Sequence, residues 1–137
     1  MALVSIRGGD PPEQLLLVRE GVNTLGDEAL RQACERAQAH LGIHGFSALE
    51  VPEGGFYELA RLRPLLRTRS RFMLARGDDL RAAGFGLIPT LDHPHWTIVI
   101  SEPTAAQFAL VRLHFSAPVM NPTYTPGASY RGPHDRR

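Results

Sequence analysis

Lysine is absent from this chain of 137 residues, and cysteine occurs only once. A disulfide framework and a thiolate zinc site each need more than one cysteine, so a chain with one cysteine excludes both. We expect this residue, Cys34, to pack in the core. Long apolar runs are also missing. The run nearest the N-terminus covers residues 15–18, far shorter than a membrane span or a signal-peptide core. The sequence therefore predicts a cytoplasmic protein without a membrane partner.

The length and the composition favour one globular domain. A hydrophobic content of 43% with 21% charged residues is typical of a folded chain rather than a disordered one. We expect this domain over residues 1–116. Residues 117–137 are rich in proline and glycine and show no hydrophobic periodicity. This tail is expected to be poorly ordered or held in an extended form against the domain.

All fifteen basic residues are arginine, although the net charge is only +1. Six of them lie in one segment with no acidic residue between them, namely Arg61, Arg63, Arg67, Arg69, Arg71 and Arg76. Guanidinium groups bind phosphate and carboxylate with two hydrogen bonds, so the segment predicts RNA or a nucleotide as partner. An acidic protein is the alternative partner. A third interpretation is a solvated rim that balances the acidic residues of segment 10–58.

Hydrophobic periodicity predicts strands that alternate with helices. The predicted strands cover residues 2–6, 15–19, 46–51, 71–75, 85–88 and 96–100, and the predicted helices cover residues 27–41, 56–63 and 80–83, with another beginning at 101–104. This order indicates an α/β (α+β) sandwich with a mixed sheet of four or five strands and helices mainly on one face. The run from residue 46 to residue 115 resembles a split βαβ unit of the ferredoxin type.

The candidate catalytic residues lie where the strand over residues 96–100 begins. Side chains alternate along a strand, so His95 and Thr97 share one face while Trp96 and Ile98 share the other. An imidazole can act as general acid or base, and a hydroxyl two residues away can bind a phosphate oxygen. We therefore identify His95 and Thr97 as a candidate catalytic pair.

This pair resembles half of the signature of the 2H phosphoesterases, which act on cyclic phosphates and RNA ends through two His-x-Ser/Thr strands. The second half is not matched. The nearest candidate, His44 to Ser47, has one residue too many, so the two side chains would lie on opposite faces of a regular strand. A β-bulge would restore the phase.

Four arginines are the candidate phosphate-binding residues. Arg67, Arg69 and Arg71 alternate with hydroxyl residues, so along a strand they would form a row on one face. Arg76 precedes a short predicted helix, whose free amides favour an anion. The segment thus predicts phosphate contacts from all four.

His93 and His95 also have a spacing that chelates zinc or another divalent ion, with Asp92 or His114 as a third ligand. No HExxH motif or cluster of carboxylates accompanies them. We therefore expect no metal and no cofactor. The remaining interpretation of this stretch is a surface turn with ordinary loop histidines.

Four sequence segments occur in the chain in this order: "REGVNTL", "GFSALEV", "LRAAGFGLIPT" and "PHWTIVI". In these segments the chain resembles a family of small α/β proteins of unassigned activity from GC-rich actinobacteria. Small proteins of this kind are often partners in toxin-antitoxin or phage-defence pairs. Together these features predict a protein that binds RNA or a nucleotide phosphate and acts as a metal-free, ribonuclease-like toxin or defence component. The alternative is a non-catalytic interaction partner with an arginine-rich face.

Overall fold

A computed structural model describes residues 15–127 of the chain. The strand predicted over residues 2–6 and the last ten residues of the tail lie outside this part. The regular elements, in chain order, are β1 (Leu16–Glu20), α1 (Asp27–Leu41), β2 (Gly45–Glu50), α2 (Gly55–Leu62), a 3₁₀ helix (Pro64–Thr68), β3 (Arg71–Arg76), α3 (Gly77–Ala82), β4 (Gly86–Pro89), β5 (His95–Val99), α4 (Ala105–Arg112) and β6 (Val119–Met120). Over residues 15–127, no helix has the length and apolar character needed to span a membrane.

The strands form one open sheet in the order β4-β5-β2-β1-β3-β6, and all neighbouring strands are antiparallel. The broad α+β prediction is confirmed, but the predicted mixed sheet of four or five strands is wrong. β2 and β3 do run parallel to each other, yet β1 lies between them and pairs with both. β6 adds a strand from the segment that was predicted as tail. β5 is an interior strand, second from one edge.

Both faces of the sheet carry a hydrophobic core. Leu17 of β1 belongs to a large cluster that includes residues of α1, α3 and α4. The next residue, Val18, belongs to a smaller cluster with Leu59 of α2 and Leu66 of the 3₁₀ helix. Because successive strand residues point to opposite faces, the two clusters lie on opposite sides of the sheet. Helices therefore cover both faces.

Helix α1 has the bounds that its periodicity predicts. It ends at Gly42, which adopts the left-handed conformation (φ 70°) and whose N–H bonds to the Gln38 carbonyl at 3.1 Å. Thr24, whose spacing before the helix is that of a capping residue, does not cap it. Gly26 is the N-cap, and the Thr24 hydroxyl instead donates to the Glu20 carbonyl at 2.8 Å, which stabilises the turn after β1.

The predicted row of arginines along a strand is also wrong. Arg67 lies in the 3₁₀ helix, Arg69 lies in the connection after it, and only Arg71 belongs to a strand, as its first residue. Pro64 is the first residue of the 3₁₀ helix, a position where its missing N–H is not needed. The three side chains therefore do not follow the two-residue alternation on which the row depended.

Part of the predicted tail is packed against the domain. β6 pairs with the start of β3, and Asn121 and Thr123 are each 3% exposed. The Asn121 side-chain amide donates to the carbonyls of Leu66 (2.7 Å) and Arg69 (2.8 Å). Its oxygen accepts from the N–H and the hydroxyl of Thr123. Residues 119–125 therefore hold the arginine-rich segment in place.

Candidate functional site

The His-Pro-His stretch forms the end of a β-hairpin loop and the first residue of β5. The Thr90 N–H donates to the His95 carbonyl at 3.3 Å, and the His95 N–H donates to the Asp92 carbonyl at 2.9 Å. The His93–Pro94 peptide bond is cis. The two hydrogen bonds place His95 at the start of an interior strand, next to β2, where it is opposite Leu49.

A chain of hydroxyl groups holds the imidazole of His95. Its Nδ1 lies 2.8 Å from the Thr90 hydroxyl, which lies 2.8 Å from the Thr97 hydroxyl. Thr90 and Thr97 are 0% and 1% exposed. The predicted pair thus lies on one face, but Thr97 reaches His95 through Thr90. In this arrangement Thr97 orients the imidazole rather than presenting its hydroxyl to a ligand.

His93 has a different partner. Its Nδ1 lies 3.8 Å from the Glu50 carboxylate, which also accepts the indole N–H of Trp96 at 2.8 Å. His93 and His95 therefore lie beside separate groups. Across residues 15–127, no group of three or more histidine, cysteine or acidic side chains is arranged to hold a metal ion.

A recess of about 600 Å³ lies beside His95, between β1, β2 and the junction of α2 with the 3₁₀ helix. Its polar lining residues are Arg19, Glu20, Thr24, Ser47, Arg63, Arg69 and His95. Within the described residues, Glu20 is the only carboxylate in this lining. The rest of its walls are formed by Val18, Gly21, Ala48, Leu49, Leu62, Pro64 and Leu65. A positively charged recess with apolar walls suits an anionic ligand that also carries an apolar group.

Arg19 bridges the gap between β1 and β2, which are paired at only two positions. Its guanidinium donates to the Ser47 carbonyl (2.8 Å) and hydroxyl (3.1 Å) and to the Thr24 carbonyl (3.3 Å), and it lies 5.3 Å from the centre of the Phe46 ring. Burial, with a smaller effect from the charge of Arg36, lowers the pKa of Arg19 to about 10. The group is still charged at neutral pH, so it supplies positive potential while bonding to protein oxygens.

Arg63 and Arg69 are the arginines best placed to touch a ligand. Arg69 is 54% exposed, and its Nε lies 3.6 Å from the Glu20 carboxylate, too far for a strong hydrogen bond. Arg63 donates weakly to the Asp92 carbonyl at 3.4 Å, and its Nε is buried without a hydrogen-bond partner. Both guanidinium groups therefore keep donors for an anion.

The other predicted phosphate-binding residues lie elsewhere. Arg67 and Arg71 do not line the recess, and Arg71 lies opposite Met120 of the edge strand β6. Arg76 lines a separate depression beside Phe115. Because Arg71 and Arg76 are the ends of β3, their backbones are about 17 Å apart. The structure thus brings Arg69 and His95 to one recess and leaves the other three arginines outside it.

Sequence reasoning missed several residues of this site. Arg63 belongs to the arginine-rich segment without acidic residues, so it could have been predicted as a phosphate-binding residue. Arg19 and Ser47 have no such signal, because each lies in an ordinary strand pattern and they meet only when β1 and β2 come together. Thr90 reaches His95 across the hairpin loop. No family model, curated protein or solved structure matches this chain.

Proposed function

We propose that the protein binds the phosphate groups of RNA or of a nucleotide in this recess. The observation that carries the proposal is that Arg19, Arg63, Arg69 and His95 line a single recess with one carboxylate in the described lining. Arg63 and Arg69 would contact the phosphate, because guanidinium groups bind phosphate oxygens bidentately. The apolar walls, which include Leu49, Leu62 and Leu65, would contact a base or a ribose.

The proposed reaction is a phosphoryl transfer without a metal. His95 takes a proton from a ribose 2′-hydroxyl, and that oxygen attacks the adjacent phosphorus. The bond from phosphorus to the 5′-oxygen of the next nucleotide breaks, and this oxygen takes a proton from water. The hydroxide that remains takes the proton held by His95, which regenerates the base. The products are a 2′,3′-cyclic phosphate and a 5′-hydroxyl end. Arg63 and Arg69 stabilise the charge that develops on the phosphate oxygens.

The hydroxyl chain has a defined part in this reaction. In the tautomer that carries its proton on Nδ1, His95 donates to the Thr90 hydroxyl, and the lone pair is then on Nε2. Nε2 is the atom that would accept the proton of the 2′-hydroxyl. Thr90 and Thr97 are therefore positioning residues in this proposal.

The proposal also includes a cytoplasmic role as a toxin or defence component and a ferredoxin-like arrangement of the sheet. A ribonuclease-like toxin or defence component of the cytoplasm is consistent with a small basic recess and a histidine base. The ferredoxin-like interpretation is supported by one unit of the sheet, β2–α2–β3, in which the two parallel strands flank β1. In a split βαβ unit the middle strand comes from elsewhere in the chain, as β1 does here.

Binding is tested with a fluorescent mononucleotide and the variants Arg63→Gln and Arg69→Gln. Each variant is expected to weaken binding about tenfold, in line with the loss of a charged hydrogen bond. Arg76→Gln is the matched control, since it removes the same charge outside the recess. If the parent protein and the three variants bind the mononucleotide with equal affinity, the recess is not the binding site.

The catalytic part is tested separately with RNA, purified protein and a chelator. RNA is expected to be cleaved to 2′,3′-cyclic ends by the parent protein and by His93→Ala, but not by His95→Ala. Intact RNA in every sample would refute the proposed reaction and leave the binding proposal to be judged by the mononucleotide experiment.

A second candidate function is non-catalytic binding of an acidic partner protein. Tyr57 is 62% exposed, Met120 is 74% exposed, and the Tyr57 hydroxyl donates to the Pro122 carbonyl at 3.0 Å. This exposed apolar surface adjoins Arg71, which lies opposite Met120. Charge complementarity therefore favours a partner with carboxylates. A complex of this kind would survive His95→Ala and weaken in Arg71→Gln.

A further inference from the structure

A second recess, of about 350 Å³, shares two lining residues with the first, Ser47 and His95. Its remaining walls come from the C-terminal half of α1, from the β4–β5 hairpin loop and from β5, and include Arg36, His40, Leu41, Leu91 and Thr97. His95 therefore lies at the boundary between two recesses and not at the end of one.

The second recess repeats the chemistry of the first. Arg36 and His40 are exposed, and within residues 15–127 no carboxylate lines this recess. Leu41 and Leu91 supply apolar surface for a base. Burial is the main cause of the lowered pKa of Arg19 and the charge of Arg36 adds to it, so the positive charges of the two recesses are close enough to interact. An extended anion would thus meet positive charge on both sides of Ser47 and His95.

We propose that the ligand is single-stranded RNA of at least two nucleotides, which passes from Arg63 and Arg69, across Ser47 and His95, to Arg36. This inference rests on the proposed function, because it assumes that the first recess binds nucleotide phosphate. A mononucleotide would fill only one recess. A strand would place the phosphate that links two nucleotides beside His95, Arg63 and Arg69, where the proposed cleavage occurs, and a neighbouring phosphate beside Arg36.

A single strand fits better than a duplex. The recesses lie between a helix or loop and the sheet, so a base must leave its stack to enter the apolar part of either one. Single strands have bases free to do this, whereas bases in A-form RNA are paired and stacked. The inference therefore names the form of the RNA as well as its minimum length.

The experiment measures the affinity of a mononucleotide and of RNA oligonucleotides of two, four and eight nucleotides by fluorescence anisotropy. We expect the dinucleotide to bind more tightly than the mononucleotide. Arg36→Gln should weaken binding of oligonucleotides about tenfold, lower the slope of log affinity against log salt concentration by about 0.7, and weaken mononucleotide binding far less. Arg69→Gln should weaken both.

Arg31→Gln is the matched control. It removes the same charge from the same helix as Arg36→Gln, and Arg31 lines neither recess. If oligonucleotides bind no more tightly than the mononucleotide, or if Arg36→Gln behaves as Arg31→Gln does, the strand-binding inference is wrong and the mononucleotide site remains. If neither the mononucleotide nor the oligonucleotides bind, the proposed function fails and the inference fails with it.

Discussion

Thr90 shows how one residue outside any motif can determine the orientation of a candidate base. Its hydroxyl bonds both to His95 Nδ1 and to the Thr97 hydroxyl, and Thr90 is completely buried. A rotated imidazole would lose this bond, and the buried Thr90 hydroxyl would lose one of its two partners, which is unfavourable for a buried polar group. The His-x-Thr spacing therefore depends on a third residue that is only seen in the folded hairpin.

A double-mutant cycle tests this chain of hydroxyl groups. Thr90→Val keeps the shape of the side chain but leaves the buried Thr97 hydroxyl without its partner, and we expect it to lower the free energy of unfolding by about 1–3 kcal/mol. Thr97→Val should have a smaller effect. The double variant should lose less than the sum of the two, because neither hydroxyl is then left unpaired.

Urea unfolding curves of the four proteins provide the measurement. Strictly additive losses would show that the two hydroxyl groups do not interact in solution. The same variants have a kinetic readout if RNA is cleaved: Thr90→Val should lower the rate at saturating RNA more than it changes the affinity, as expected of a positioning residue.

The 3₁₀ helix and the connection after it are elements whose shape depends on a distant segment. Asn121 donates to the Leu66 and Arg69 carbonyls, although it is 55 and 52 residues away from them in the chain. The Thr125 N–H donates to the Arg67 carbonyl at 3.0 Å. The backbone that carries Arg69 into the recess is therefore fixed from outside the arginine-rich segment.

Asn121→Ala is expected to lower the free energy of unfolding by roughly 2–3 kcal/mol, since two carbonyls and Thr123 lose buried partners. It should also weaken mononucleotide binding, because Arg69 is no longer held at the recess. Asn23→Ala is the matched control, since Asn23 is exposed. An unchanged urea midpoint for Asn121→Ala would contradict the role assigned to this side chain.

At the scale of the whole molecule, part of the Pro/Gly-rich segment after residue 116 packs against the sheet. β6 completes the sheet beside β3, and the buried residues Asn121 and Thr123 lie beyond that boundary. The segment covers polar backbone of the arginine-rich region that would otherwise need water. Residues 117–127 therefore belong to the folded body that carries the candidate site.

Two shortened chains test this conclusion. A chain that stops after Ser116 should be less stable than one that stops after Gly127 by at least about 2 kcal/mol, because it lacks the Asn121 bonds and the β6 pairing. Thermal and urea unfolding of the two chains provide the comparison. Equal stability would show that the segment contributes nothing to the fold.

The spacing of apolar residues along the chain determined the positions of most helices and strands. The helix over residues 27–41 and most strand positions follow from apolar spacing, which involves residues within four positions of each other. The face shared by His95 and Thr97 also follows from alternation along one strand. The excess of arginine over residues 61–76 predicts an anion site, and one of these arginines, Arg69, lines the recess.

Only the tertiary structure decided the strand order, the second core, the bond from Arg19 to Ser47 and the place of residues 117–127. Each depends on contacts between residues far apart in the chain, such as the 28 positions between Arg19 and Ser47. No local period encodes such a contact, because its energy arises only when two elements pack against each other. For the same reason, Arg76 belongs to the arginine-rich segment of the sequence but not to the recess in the folded protein.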